Sequence, residues 1–178
     1  MIYTGIGSRR TPEAFLKTFT AMAEILGLEG LTLRSGGACG ADQAFEQGAI
    51  NVGGDREIYL PFEGFQSETR SGNFNFDFPF PSEAAFAMGE KYHPRWHSLS
   101  VKGQAYHARN CHQVLGWDLE TPTSVVICWT AYAKGHGGTG QALRIAKDYD
   151  ISIVDFGKGY IATNLERVYD YVEKEIVL

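Results

Sequence analysis

Five short apolar runs, at 1–5, 31–34, 56–60, 124–129 and 151–156, alternate along the chain with stretches of helical periodicity. Apolar runs of that length are strands covered on both faces, and parallel strands need connections long enough to hold a helix. The order therefore predicts an α/β fold, a Rossmann-like parallel sheet with helices on both faces. The helices carry their own signals. Thr11 can cap a helix with Pro12 at its first position, after which Phe15, Phe19, Met22 and Leu26 recur at helical spacing. Val101, Ala105, Ala108, His112 and Leu115 fall on one stripe of a helix over about 99–115. Thr163, Asn164, Leu165 and Glu166 read as a capping box that opens a last helix, with Leu165, Val168, Tyr169, Val172 and Ile176 along one face. With 178 residues, 44% of them hydrophobic, the chain can bury one core and is read as one domain, 1–178.

The segment 61–81 breaks this alternation. It holds Phe62, Phe65, Phe74, Phe76, Phe78 and Phe80, too many aromatic rings for a disordered linker. It is expected to be an inserted loop or hairpin that packs its rings on the domain or across an interface between copies. A lid whose rings stack on a base is the alternative.

Charge and cysteine content narrow the function. A net charge of −5 argues against a sequence-indifferent clamp on DNA or on an anionic membrane, but leaves small anions held by local dipoles. No apolar run approaches the ~18 residues of a membrane span. Cys39, Cys111 and Cys128 are odd in number and form no CxxC pair, so neither a disulfide framework nor a zinc ribbon is indicated, and a reducing cytoplasm fits. His93 and His97 stand four apart, but Pro94 interrupts the helix they would need; neither a metal nor a cofactor is expected.

Three glycine-rich segments each follow a predicted strand: Gly5, Ile6, Gly7, Ser8, Arg9; then Ser35, Gly36, Gly37, Ala38, Cys39, Gly40; then Gly135, His136, Gly137, Gly138, Thr139, Gly140. In an open parallel sheet all three lie beyond the carboxyl ends of the strands, where ligands bind, and the helix N-termini that follow aim N–H groups at an anion. Phosphate is the natural guest. The spacing is neither GxGxxG nor GxxxxGK[ST], which argues against an ordinary NAD enzyme or a P-loop ATPase. The candidate phosphate contacts are Gly7, Ser8, Arg9, Ser35, Gly36, Gly37, Gly137, Gly138, Thr139 and Gly140. Arg9 and Arg109 offer bidentate forks. Asp42 is either a helix-capping acid or a ribose ligand, and Glu46, one turn on, is placed to share its cleft. Asp118 is the third available acid. Trp129 either caps the core or offers a stacking face for a base.

The combination of GSR at 7–9, SGGACGAD at 35–42, YHARN at 106–110 and GGTGQAL at 137–143 resembles the SLOG superfamily of Rossmann-like proteins over most of the chain, the Phe-rich segment excepted. One branch, the LOG phosphoribohydrolases, releases a base from nucleoside 5′-monophosphates, and resemblance to it places Arg109 at a functional arginine, with Asp42 and Glu46 as the acids near it. Gln141 stands about where that branch carries a catalytic Glu. A neutral amide does not stabilise an oxocarbenium-like centre or activate water, so hydrolysis is expected to be absent or slow. The other branch, DprA, implies single-stranded DNA binding through the GSR turn, the 35–42 segment and the pair Arg109 and Asn110. It would draw on a groove of Arg9, Arg10, Arg34, Arg70, Arg95, Lys102 and Arg109. The resemblance thus implies a nucleotide-like small molecule as partner, or single-stranded DNA, with a homo-oligomer expected.

Overall fold

The computed structural model describes residues 1–72, 74–135 and 137–176, side chains through residue 174. The place of Ile176 on the last helix, and His136 in the third glycine segment, lie outside the described side chains. The strands are β1 (Ile2–Gly7), β2 (Thr32–Ser35), β3 (Arg56–Tyr59), β4 (Asp77–Phe78), β5 (Val125–Trp129) and β6 (Ser152–Asp155). They form one sheet in the order β4-β3-β2-β1-β5-β6, every pair parallel. The α/β, Rossmann-like architecture is as expected.

Alternation within the strands builds the two covering layers. Val125 and Ile127 of β5 point to one face, where they meet α1 (Glu13–Leu28), α2 (Ala41–Asn51) and α6 (Ile161–Ile176) through Phe19, Phe45 and Val168. Val126 and Cys128 point to the other, against α3 (Glu83–Tyr92), α4 (Val101–Leu115) and α5 (Gly137–Asp148) through Ala85, Ala108 and Ile145. The chain winds outward from β1 to β4, then returns to the other side of β1 with β5. That reversal opens a crevice between β1 and β5 at their carboxyl ends.

Several local expectations change. β1 runs on to Gly7, which pairs with Trp129, so the first turn begins at Ser8. Pro12 is the N-cap of α1, not its first residue, and the Thr11 hydroxyl donates to Ser8 O at 2.7 Å instead of capping the helix. α6 starts at Ile161, ahead of the capping box; the Asn164 amide instead donates back to Lys158 O at 2.8 Å and Tyr160 O at 3.2 Å, tying the helix to the turn before it. α3 was not legible from periodicity, although Ser82 caps it by accepting from the Ala85 N–H at 3.2 Å.

The Phe-rich segment is not a hairpin. It runs out through turns and returns as β4, which extends the sheet beyond β3. Phe62 and Phe65 meet Tyr106 of α4 edge to face, and Phe78 stacks between Tyr59 and Trp117. Phe74, Phe76 and Phe80 remain exposed. The anchor is Arg70, 8% exposed, which bonds both carboxylate oxygens of Glu46 on α2 and both of Asp77 on β4. No described helix is long and apolar enough to cross a membrane.

Candidate functional site

The crevice encloses about 470 Å³. Gly7 enters it from the end of β1, Ser8, Arg9 and Arg10 from the turn that follows, Ala38 from the second glycine segment, Asp42 from the first turn of α2, Thr130 and Ala131 from beyond β5, and Gly137, Gly138 and Thr139 from the start of α5. Its far wall is α4, with Tyr106, His107, Arg109, Asn110 and Gln113. All three glycine segments therefore converge on one cleft.

Its charge is not that of the chain as a whole. Among the described residues Asp42 is the one acid in the lining, and it faces Arg109 at 3.8 Å, both buried. Arg9 and Arg10 at the rim are exposed, and among the described residues neither meets a carboxylate. Arg9 lies over the Tyr106 ring, 5.7 Å from its centre. The N-terminal turn of α5 adds N–H groups that have no acceptor within the helix, and its dipole end is positive. A small anion is thus attracted to one wall.

Asp42 accepts from the Gly7 N–H at 3.1 Å, so it ties the start of α2 to the end of β1. Burial pushes its carboxyl up to about 6, against the opposing pull of Arg109 and of the Gly7 and Ala38 amides. Arg109 donates to Gly36 O and, at 3.1 Å, to Asn110 Oδ1. A Cβ on Gly36 would lie 1.8 Å from Arg109 Nη1 and 2.4 Å from Gln113 Nε2, so a larger residue there would displace both buried side chains. The guanidinium thus spends its fork on the fold, holding the second glycine segment against α4.

Asn110 donates to Gly138 O at 3.1 Å and to Gln141 Oε1 at 3.1 Å, which fixes the first turn of α5. Gln141 is fully buried behind that turn, and its Oε1 also meets His107 Nδ1 at 2.8 Å. It does not line the cleft. His107 does, although sequence reasoning noted it only as part of the 106–110 motif and gave it no role. Burial lowers its pKa below the usual histidine value, and the nearby His93, Arg144 and Arg109 act the same way against the Gln141 bond.

Other expected site residues lie elsewhere. Ser35 is buried and donates to Gly5 O at 2.7 Å, within the sheet. Gly37 faces Arg70 and Leu60, and Gly140 packs on Gly135. Glu46 lies in the ion pair with Arg70, whose approach from the Phe-rich segment turns it away from the cleft. Asp118 caps the turn before β5, accepting from the Glu120 and Thr121 N–H groups at the amino edge of the sheet. Trp129 is half-buried and tilts onto Phe15 of α1, with ring centres 6.1 Å apart, packing against the edge of the core. Of the proposed basic groove, Arg34, Arg70 and Arg109 are buried in pairs with Glu57, Glu46 and Asp42.

No family model and no curated protein matches the chain. Solved structures do. The Moco carrier protein of Chlamydomonas rheinhardtii superposes with a TM-score of 0.54 at 13% identity, over 98% of this chain and 84% of that one. DNA processing protein A from Helicobacter pylori, described for its single-stranded DNA binding mode, has a TM-score of 0.54 at 20% identity, over 93% of this chain and 71% of that one. The chain shares the fold of DprA. The Streptococcus pneumoniae DprA agrees, with a TM-score of 0.51 at 18% identity; this chain spans 98% of its own length and 56% of that protein's. DprA was one branch of the SLOG resemblance in the sequence, so the structural neighbours and that resemblance are consistent. At these identities the likeness is one of fold.

Proposed function

We propose that the chain binds a small phosphorylated molecule of nucleotide type, its phosphate at the first turn of α5 beside Arg9 and its organic part along Tyr106 and His107. The observation that carries this reading is the pairing of two uncompensated arginines with a helix N-terminus at the topological switch point of the sheet. Binding without rapid hydrolysis follows from the chemistry present: Asp42 is held by Arg109 and Gly7, Glu46 and Asp118 lie elsewhere, and Gln141 is neutral and buried. Self-association is part of the reading, supported by the exposed Phe74, Phe76 and Phe80 beside edge strand β4, and light scattering checks it. Thermal denaturation with 5′-AMP, adenosine and a single-stranded oligonucleotide tests the ligand. The expected result is stabilisation by 5′-AMP alone, lost in Arg9→Ala, with no free adenine released. At a hundredfold excess over Kd the gain is about 2.7 kcal/mol. Stabilisation by the oligonucleotide alone, falling with salt, would instead make this a DNA-binding protein.

A further inference from the structure

Every polar atom around Gln141 has a role that its neighbours settle. Gly138 O can only accept, so the Asn110 atom facing it is Nδ2; Arg109 Nε can only donate, so the atom facing it is Asn110 Oδ1. Both ends of that amide agree. The Gln141 atom that takes the second Asn110 Nδ2 hydrogen is therefore Oε1, and the Gln141 Nε2 that remains faces Gly89 O at 3.5 Å, a partner that can only accept. Gln141 Oε1 carries no proton, so the His107 Nδ1 lying 2.8 Å from it must carry one. Among the described residues, no protein group bonds His107 Nε2.

From this network the structure assigns His107 as a neutral imidazole, protonated on Nδ1 and held so by Gln141, whose bare Nε2 is a hydrogen-bond acceptor for a ligand O–H or N–H in the cleft. Gln141 is then a positioning residue, in the sense in which a partner on one ring nitrogen sets what the other nitrogen offers. The inference rests on the proposed cleft for its ligand half only; the Nδ1 proton stands on the protein network, and the bare Nε2 on burial of the ring near His93, Arg144 and Arg109.

The consequence is selectivity. An ionised phosphate oxygen brings lone pairs, and a bare Nε2 brings another, so the two repel. Phosphate is left to Arg9 and the start of α5, and the α4 side of the cleft selects a neutral donor such as a sugar hydroxyl or a base amine. A fully ionised anion such as sulfate meets half of such a site, and a phosphate monoester of a hydroxylated or aminated body meets both halves. The groups facing His107 leave this state intact near neutral pH: His93 on the segment after α3, its ring centre 4.2 Å away, Arg144 on α5 and Arg109 on α4 all oppose a second proton.

The test is nitrogen-15 NMR of the histidine side chains of the full chain at pH 7.5. The expected spectrum has His107 Nδ1 protonated and Nε2 unprotonated; an Nε2–H form, or averaging between the two forms, overturns the assignment. In Gln141→Glu the new carboxylate faces Nδ1 and raises the His107 titration midpoint, so that Nε2 gains a proton near neutrality. In Gln141→Met the lock is gone and the tautomers mix. An unchanged His107 in whichever variant folds overturns the positioning role. Three probes then test the ligand half: sulfate, ribose 5-phosphate and 5′-AMP. Sulfate, which carries no proton at this pH, is expected to shift the Gly138 and Thr139 amides without moving His107 Nε2. Ribose 5-phosphate shifting Nε2 assigns the donor to the sugar, and a shift with 5′-AMP alone assigns it to the base. His107→Phe should weaken that probe about three- to tenfold and leave sulfate unchanged. A probe that moves the amides but never Nε2 overturns the acceptor role. Amides that no probe moves would overturn the proposed phosphate site, with the tautomer result still standing.

Discussion

Arg109 and Asp42 face each other 3.8 Å apart at the floor of the cleft, each almost wholly buried. An arginine in the 106–110 motif was expected to reach for a ligand anion; here its charge is balanced from within and its other donors hold Gly36 and Asn110. The exposed cations of the cleft are Arg9 and Arg10.

Stability and binding should separate accordingly. Arg109→Ala leaves Asp42 buried without its partner, and removing one member of a buried pair costs about 3–5 kcal/mol. Arg109→Lys recovers little, because a single ammonium cannot reach Gly36 O, Asn110 and Asp42 together. Arg9→Ala lies within about 0.5 kcal/mol of wild type in a denaturant titration, as an exposed side chain should, yet loses the 5′-AMP-dependent rise in melting temperature. A fully stable Arg109→Ala protein that no longer binds would return Arg109 to a ligand-contact role.

Asp42 gives the chain a pH dependence of defined sign. Its carboxyl titrates near 6 when folded and near 3.8 in the unfolded chain, so the folded state keeps the proton longer. As pH rises between these values the unfolded chain ionises first, and stability falls. The fall is complete above pH 6 and amounts to roughly 3 kcal/mol. Comparing wild type with Asp42→Asn from pH 4 to pH 7 isolates it from the other carboxylates. A difference that does not change with pH would mean that Asp42 titrates as an ordinary acid.

What the sequence made legible and what it did not divide along a physical line. The strands, the glycine segments and the 106–110 motif are local patterns, and a parallel sheet then brings them to one edge without further information. β4 is too short to show a period, and its pairing with β3 depends on Arg70 bonding Glu46 and Asp77, residues 24 and 7 positions away along the chain. Glu46 looked like a cleft acid because it follows Asp42 by one helical turn; its direction is settled by an arginine from another segment. Gln141 and His107 are 34 positions apart, and neither residue alone announces the contact. Trp129 ends a strand beside the cleft, but the pleat turns its ring toward α1.

Arg70 is the hinge on which the Phe-rich segment depends. Replacing it with Met keeps the bulk and removes the charge that both Glu46 and Asp77 bond, leaving them the electrostatic pull of Arg56. The expected loss is about 3–5 kcal/mol, and limited proteolysis should then cut within 61–81 before the rest of the chain. Uniform cleavage, or none, would show that the packing of Phe62 and Phe65 on Tyr106 holds the segment by itself.

Gly140 offers a test in which two effects have opposite signs. It lies inside the first turn of α5, where alanine is the better helix former by roughly 1 kcal/mol, so propensity alone predicts that Gly140→Ala stabilises. Geometry predicts the reverse. A Cβ on Gly140 would stand 1.6 Å from Gly135 O, which is backbone and cannot rotate aside, so either the turn before α5 or the helix start must move. Gly138 and Thr139 line the cleft from that same turn and would move with it. The variant is expected to be less stable than wild type by more than the propensity gain. Its response to 5′-AMP should weaken even though residue 140 does not itself line the cleft. A stabilised Gly140→Ala protein with full 5′-AMP response would show that the close packing of Gly135 on Gly140 plays no part in shaping the site.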